Sequence, residues 1–271
     1  MLAHVVTPRQ LHTLRWYARR PRLWRQFLRM LGEKRRGATP QTATLEAERR
    51  EGIAWAESHA IPASAALQHL TGSDAVCLLE EECPDEVAAG HEQQRACPAH
   101  MGGGADYHFL YTLAERLRCV RVVETGVAFG WSSFALLHSV AKRGGHVIST
   151  DMPYPLREND AFVGCVVPER LRRHWTLLRA PDRDALPTAL RRLAPIDLCH
   201  YDSDKSTAGR RWAYPRLWQA LRPGGLFVTD DVQDNLGFAE FCETVGVTPL
   251  VARVRDGAGF KFAGILPKPG N

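Results

Sequence analysis

A chain of 271 residues, 45% of them apolar and 24% charged, can bury a sizeable core, either as one large domain or as a domain with a smaller appendage. It contains no run of about 18 apolar residues, and its start, "MLAHVVTPRQLHTLRW", lacks the apolar stretch and cleavage site of a secretory signal, so a cytoplasmic protein is expected. Seven cysteines, an odd number in no regular frame, argue for reduced thiols and against a disulfide scaffold.

The net charge of +5 is unevenly placed: residues 1–36 carry ten Arg or Lys against one acid, Glu33. Within this arm Leu14, Tyr17, Leu23, Trp24, Phe27, Leu28 and Leu31 recur at roughly helical spacing, and Pro21 splits the segment into two short amphipathic helices. Such an arm suits packing on the body or on a second subunit, as in a homodimer, or peripheral contact with an anionic membrane. No base-reading motif accompanies it, so nucleic acid is not an expected partner. Residues 37–49 read as a linker running into a helix, and residues 51–72 as helical with a break at Pro62.

From 83 to 104, "CPDEVAAGHEQQRACPAHMGGG" reads as loop-rich, and the domain boundary is placed there: an N-terminal helical extension over 1–100 and a main domain over 101–271. Cys83, His91, Cys97 and His100 form a zinc-ligand set on paper, but C-x7-H-x5-C-x2-H lacks the tight cysteine knuckle of structural zinc sites, and ordinary loop residues are the reading adopted.

Beyond residue 104 short apolar strands alternate with helices. "LYTLAERL" reads as a helix, "CVRVVE" as a strand, "WSSFALLHSVAK" as a helix, and "HVIST" and "WTLLRA" as strands. "DALPTALRRL" follows as a helix, "IDLCHY" as a strand, a helix runs from about Ser206 to Leu221, and "LFVTD" and "GFAEFCETV" complete the rhythm, with "RPGG" as a turn. That alternation means a parallel sheet covered on both faces. The end differs: "TPLVARVRDGAGFKFAGILPKPG" is two strands joined by a hairpin signal.

Two places carry chemistry. In "VVETGVAFGWSS" Gly126 and Gly130 let the chain turn tightly and bring backbone close to a ligand, and the spacing misses the dinucleotide fingerprint because its third glycine would fall on Trp131. In "HYDSDKS", strand alternation would set Asp202 and Asp204 on one face, and the next strand ends in Asp230 and Asp231. Neighbouring strands would converge these acids, a set that suits a hard divalent cation such as Mg²⁺, with Asp202, Asp230 and Asp231 as ligands. Lys205 could instead pair with Asp202 or Asp230 and replace the cation, leaving Asp204 or His200 as the base.

"E-T-G-V-A-F-G" resembles motif I of class I S-adenosylmethionine (SAM) methyltransferases, with Ala128 in place of the middle glycine. Residues 101–266, through "TDMPYP", "IDLCHYDSDKS" and "LRPGGLFVTDDVQDNLGFAEF", resemble the bacterial methyltransferase-24-like group related to macrocin and rhamnosyl O-methyltransferases. The resemblance implies an α/β fold with a Rossmann-like seven-stranded sheet ending in an antiparallel hairpin. It implies a cofactor site from Glu124, Thr125, Gly126, Ala128, Gly130, Trp131 and Ser132, with Asp151 on the ribose, Asp182 near the adenine and Asp202 beyond. It further implies O-methylation of a sugar, glycoconjugate or natural-product hydroxyl, with Asp204 as proton acceptor and His200 and Lys205 as further catalytic candidates.

Trp131 either shields the methionine arm or packs on the sheet, Tyr154, Trp212 and Tyr214 flank a sugar ring or join the core, and His108 could reach the cofactor's open side. The rival readings are a nicotinamide-dependent oxidoreductase and a non-catalytic SAM-binding scaffold.

Overall fold

The computed structural model describes residues 7–35, 42–102, 105–155 and 159–270. Part of the predicted linker, 37–41, and two glycines of the triple-glycine run lie outside the described residues. From Thr42 that linker is already helix, Thr42–His59.

Eight strands form one sheet: β1 (Ala60–Pro62), β2 (Arg121–Thr125), β3 (His146–Thr150), β4 (Trp175–Leu178), β5 (Ile196–Tyr201), β6 (Leu221–Thr229), β7 (Leu250–Asp256) and β8 (Gly259–Pro267). Their order is β1-β7-β8-β6-β5-β2-β3-β4. Strands β4, β3, β2, β5 and β6 run parallel, while β8 is antiparallel to both β6 and β7, so the predicted closing hairpin is present. Gly257, at φ +56°, makes its tight turn.

The sheet has one strand more than the seven expected. The predicted helix break at Pro62 is β1, which pairs parallel to β7 at the sheet edge, where a residue without an N–H is tolerated. "RPGG", expected as a turn, lies inside β6, whose pairing with β5 shifts register there.

Alternate strand residues feed two cores. Val122, Val147, Leu198 and Val228 meet Leu110, Phe134 and Leu137 on one face, while Val123, Ile148, Cys199 and Phe227 meet Leu186, Leu217 and Phe241 on the other. Every residue of β5 is buried, as a strand covered on both faces must be. Leu67, Leu79 and Val87, from before residue 100, share the first core. The stretch read as loop-rich is mostly a helix, Pro84–Ala96, with Pro84 at its first position and Asp85 and Glu86 in its first turn, both favourable at a helix start.

The basic arm folds as predicted into helices Pro8–Ala18 and Trp24–Arg35 on either side of a turn begun by Pro21. Thr7 and Gln10 close a reciprocal capping box at the first. Tyr17 and Leu23 are buried, each burial of this size contributing about 1.5–3 kcal/mol, and Arg29 grips Asp184 at 2.7 and 3.2 Å.

Candidate active site

The chain runs from β2 outward through β3 and β4, then returns to add β5 and β6 on the other side, so the strand order reverses between β2 and β5. In open parallel sheets the crevice beyond such a reversal is where ligands bind.

The loop leaving β2 is built for close approach. Gly126, Ala128 and Gly130 have φ of +81°, +48° and +97°, so left-handed residues alternate along it and Ala128 adopts a conformation that favours glycine. A Cβ on Gly126 would lie 2.2 Å from the Asp202 carbonyl oxygen, and one on Gly130 2.9 Å from Gly164 Cα. The loop is thus clamped between backbones.

Asp151 holds it from below: its Oδ2 accepts from the N–H of Val127 (2.9 Å) and Ala128 (3.2 Å), and its Oδ1 is ion-paired with Arg179, which also reaches Asp160 at 2.6 Å. Burial raises the Asp151 carboxyl above its ordinary range against the pull of Arg179 and the loop amides. Arg179 is a site residue that sequence reasoning missed.

Several predicted cofactor residues face inward. Glu124 is fully buried and accepts from Ser133 (2.5 Å) and Ser149 (2.7 Å). Asp182 accepts from Thr150 at 2.8 Å and from Ser203, and burial raises its carboxyl. Thr125 Oγ1 accepts from Ser203 at 2.9 Å and ties the loops after β2 and β5 together. Ser132 is buried at the start of helix Trp131–Ala141. Trp131 donates to Gln94 (2.6 Å) and stacks on Tyr107, which fixes the loop to helix Pro84–Ala96. A cavity of about 540 Å³ opens beside Phe129 of the same loop, lined by His91, Gln94, Arg95, Cys97 and His100; Asp151 does not line it.

The acids after β5 and β6 converge as predicted, but with cations already among them. Lys205 Nζ lies 3.0 Å from Asp202 Oδ1 and is also paired with Asp231, and Lys261 Nζ lies 2.8 Å from Asp230 Oδ2. His200 is fully buried, with Nδ1 3.6 Å from Glu124 and Nε2 3.8 Å from Asp230. Burial pulls this imidazole toward neutrality, but Asp230 and Glu124 outweigh it and raise its pKa to about 10. His200 is enclosed between two carboxylates inside the protein, out of reach of an acceptor.

Burial and the nearby Asp230 charge raise Asp202 to about 6 despite Lys205. Asp230 goes the other way, held low against burial by Lys261 and His200. Arg210, wholly buried and also missed from sequence, donates to the carbonyls of Asp230 and Asp231 and pins the turn in which Asp231 is left-handed at φ +53°.

These residues do not fit a resident divalent cation. His200, Asp202 and Asp230 come within ligand reach of one another, yet a metal there would have to displace Lys205 and Lys261 from the carboxylates they already neutralise. Asp204 departs from expectation as well: β5 ends at Tyr201, and Asp204 turns to accept from the Ser206 N–H (3.1 Å) against Gly209, at the start of helix Thr207–Ala220.

Of the zinc set, His91, Cys97 and His100 line the cavity beside Phe129, but the four do not come within ligand reach of one another among the described residues. Among the described residues Cys83 instead meets Glu86 and His138, where Arg170 already bridges Glu86 (2.5 and 2.6 Å) and His138 Nδ1 (3.1 Å). His108 and Tyr214 are structural, the first accepting from Leu79 N–H and the second buried against Thr229. Trp212 is flanked by Arg183 and Arg216, and Tyr154 is 54% exposed.

Residues 123–232 match a family model described as a methyltransferase domain. Over that stretch the chain is similar to methyltransferase domains. The match runs from inside β2 to Val232, and so takes in the loop, Asp151 and the acid cluster. No curated protein matches the chain.

Solved structures resemble the chain over a wider stretch than the family model does. Cofactor-bound Rv0187 from MTB superposes with a TM-score of 0.56 at 20% identity, over 69% of this chain and 90% of that one. The O-methyltransferase TomG from Streptomyces achromogenes, involved in tomaymycin synthesis and solved with SAM, gives 0.55 at 18% over 69% and 90%. An O-methyltransferase from Bacillus cereus in complex with SAH gives 0.54 at 18% over 79% and 100%. At such identities the likeness is one of fold, the class I methyltransferase fold with its terminal hairpin.

Proposed function

We propose that the protein is a SAM-dependent O-methyltransferase acting on a hydroxyl of a sugar, glycoconjugate or natural product. The observation that carries the reading is the loop of alternating left-handed residues 126, 128 and 130, pinned by Asp151 at the strand-order reversal and opposite the acid cluster. SAM-bound and SAH-bound proteins of the same fold support the choice of cofactor.

SAM, when bound, supplies an electrophilic methyl group. The chain supplies alignment and a proton acceptor. Asp151 has one oxygen on the loop amides, so its other oxygen, held by Arg179, is the one to meet a ribose hydroxyl. Lys205, 36% exposed between Asp202 and Asp231, donates to the acceptor oxygen and orients it. Asp202 takes the hydroxyl proton, since a carboxylate poised near pH 6 is a far better base at neutrality than one at its ordinary value. Asp204 is engaged with the Ser206 N–H, and His200 lies between Glu124 and Asp230. In this reading the lysines do the electrostatic work that Mg²⁺ was expected to do.

Titration calorimetry with SAH and with NAD, followed by transfer of labelled methyl from SAM to a panel of glycosides, tests the proposal. Binding of SAH that is weakened in Asp151→Ala supports it. Binding of NAD without SAH would replace it with the oxidoreductase, and SAH binding without transfer to any hydroxyl would leave a scaffold.

A further inference from the structure

The second helix of the basic arm is apolar on two sides. Leu23 and Phe27 turn toward the body, while Trp24, Leu28 and Leu31, at i, i+4 and i+7, form a second stripe that is 51%, 65% and 38% exposed. Leu11 and Leu14 of the first helix are exposed as well, and of the twelve large apolar side chains left exposed among the described residues, seven fall between Leu11 and Leu45. A helix with two apolar stripes is ordinarily buried on both, and this one is buried on one.

Charge identifies what suits the other. From Thr7 to Gly32 there is no acid, and Arg15, Arg19, Arg22 and Arg25 of the same arm are exposed without an ion-pair partner among the described residues. Arginines that face inward are paired, Arg20 with Asp160 (3.6 Å) and Arg29 with Asp184 (2.7 Å). The arm thus divides its cations, two to hold it to the body and four to face outward.

We infer that this face docks on an anionic phospholipid bilayer, with Trp24, Leu28 and Leu31 entering the headgroup boundary and the four arginines meeting lipid phosphates. A second copy docked through the same face would oppose arginines to arginines, because a two-fold contact pairs a patch with itself. Asp160 and Asp184 follow the carboxyl ends of β3 and β4, so the bilayer would lie toward the end of the sheet that carries the Gly126 loop. The inference does not depend on methyl transfer.

Flotation of the full chain with vesicles tests it, comparing pure phosphatidylcholine with vesicles in which about a third of the lipid is phosphatidylglycerol. Binding is expected only to the anionic vesicles, released by salt, and weakened about fivefold for each outward arginine changed to Gln. Leu28→Ser combined with Leu31→Ser should remove binding while leaving the thermal midpoint in place, since both side chains are exposed. Light scattering is run on the same samples. Failure of the folded protein to bind, or binding indifferent to these substitutions, overturns the inference. So does a dimer that Leu28→Ser dissociates, which would make the face a contact between copies.

Discussion

Lys261 Nζ sits 2.8 Å from Asp230 Oδ2, and neither side chain is more than 7% exposed. The pair joins the closing hairpin to the carboxyl end of β6 and gives Asp230 a fixed counter-charge below the surface where Asp202 and Lys205 meet. Removing one partner of such a pair strands a buried charge, at about 3–5 kcal/mol. Lys261→Met should therefore lower the denaturant midpoint by that order without a change in slope. A loss under about 1 kcal/mol would mean that Asp230 finds another partner.

The same cations bear on metal dependence. With Lys205 and Lys261 among the carboxylates, methyl transfer should proceed undiminished after EDTA treatment and dialysis, and added Mg²⁺ should leave the rate unchanged. Lys205→Ala should then lower kcat by about 100-fold or more, as loss of a preorganised donor does, with SAH affinity little altered. A rate restored to the EDTA-treated enzyme by Mg²⁺ would show the lysines swinging aside for the ion.

Asp202 sets a pH dependence with a definite sign. Its carboxyl is raised from 3.8 to about 6, so it binds its proton more tightly in the folded chain than in the unfolded one. Ionising it therefore costs stability as pH rises from 3.8 through about 6. Activity moves oppositely, because the base must be ionised. The rate should fall about tenfold per pH unit below the apparent pKa, and Asp202→Asn should be inactive at every pH. A flat profile down to pH 5 would assign the proton to another group.

What could be read in advance follows from how local each signal is. Strands β2 and β5 announce themselves as apolar runs between punctuation, and Gly126 needs only its neighbours to mark a turn. Asp204 was misread because alternation holds only while a strand continues, and β5 stops at Tyr201. Lys261 was invisible for a different reason: a single lysine in a hairpin looks solvated until the topology sets β8 beside β6. Helix Pro84–Ala96 hid behind Gly, Cys and His, although Pro84 followed by Asp85 and Glu86 was a usable start signal. Arg179 and Arg210 act on acids distant in sequence, and arginine in a basic chain draws no notice.

Ala128 offers the sharpest test of the loop itself. Alanine at φ +48° costs about 1–2 kcal/mol relative to glycine in the same left-handed geometry, against about 0.5–1 kcal/mol of extra chain entropy that glycine loses on folding. Ala128→Gly should thus leave stability unchanged or raise it by up to about 1 kcal/mol, with SAH affinity retained. Gly126→Ala has no such latitude, because its Cβ would sit 2.2 Å from a backbone oxygen that cannot yield without moving the Asp202 turn. About 3 kcal/mol or more should be lost there, together with SAH binding. If thermal melts and calorimetry found the two substitutions equivalent, the clamped loop would not be the element on which the site is built.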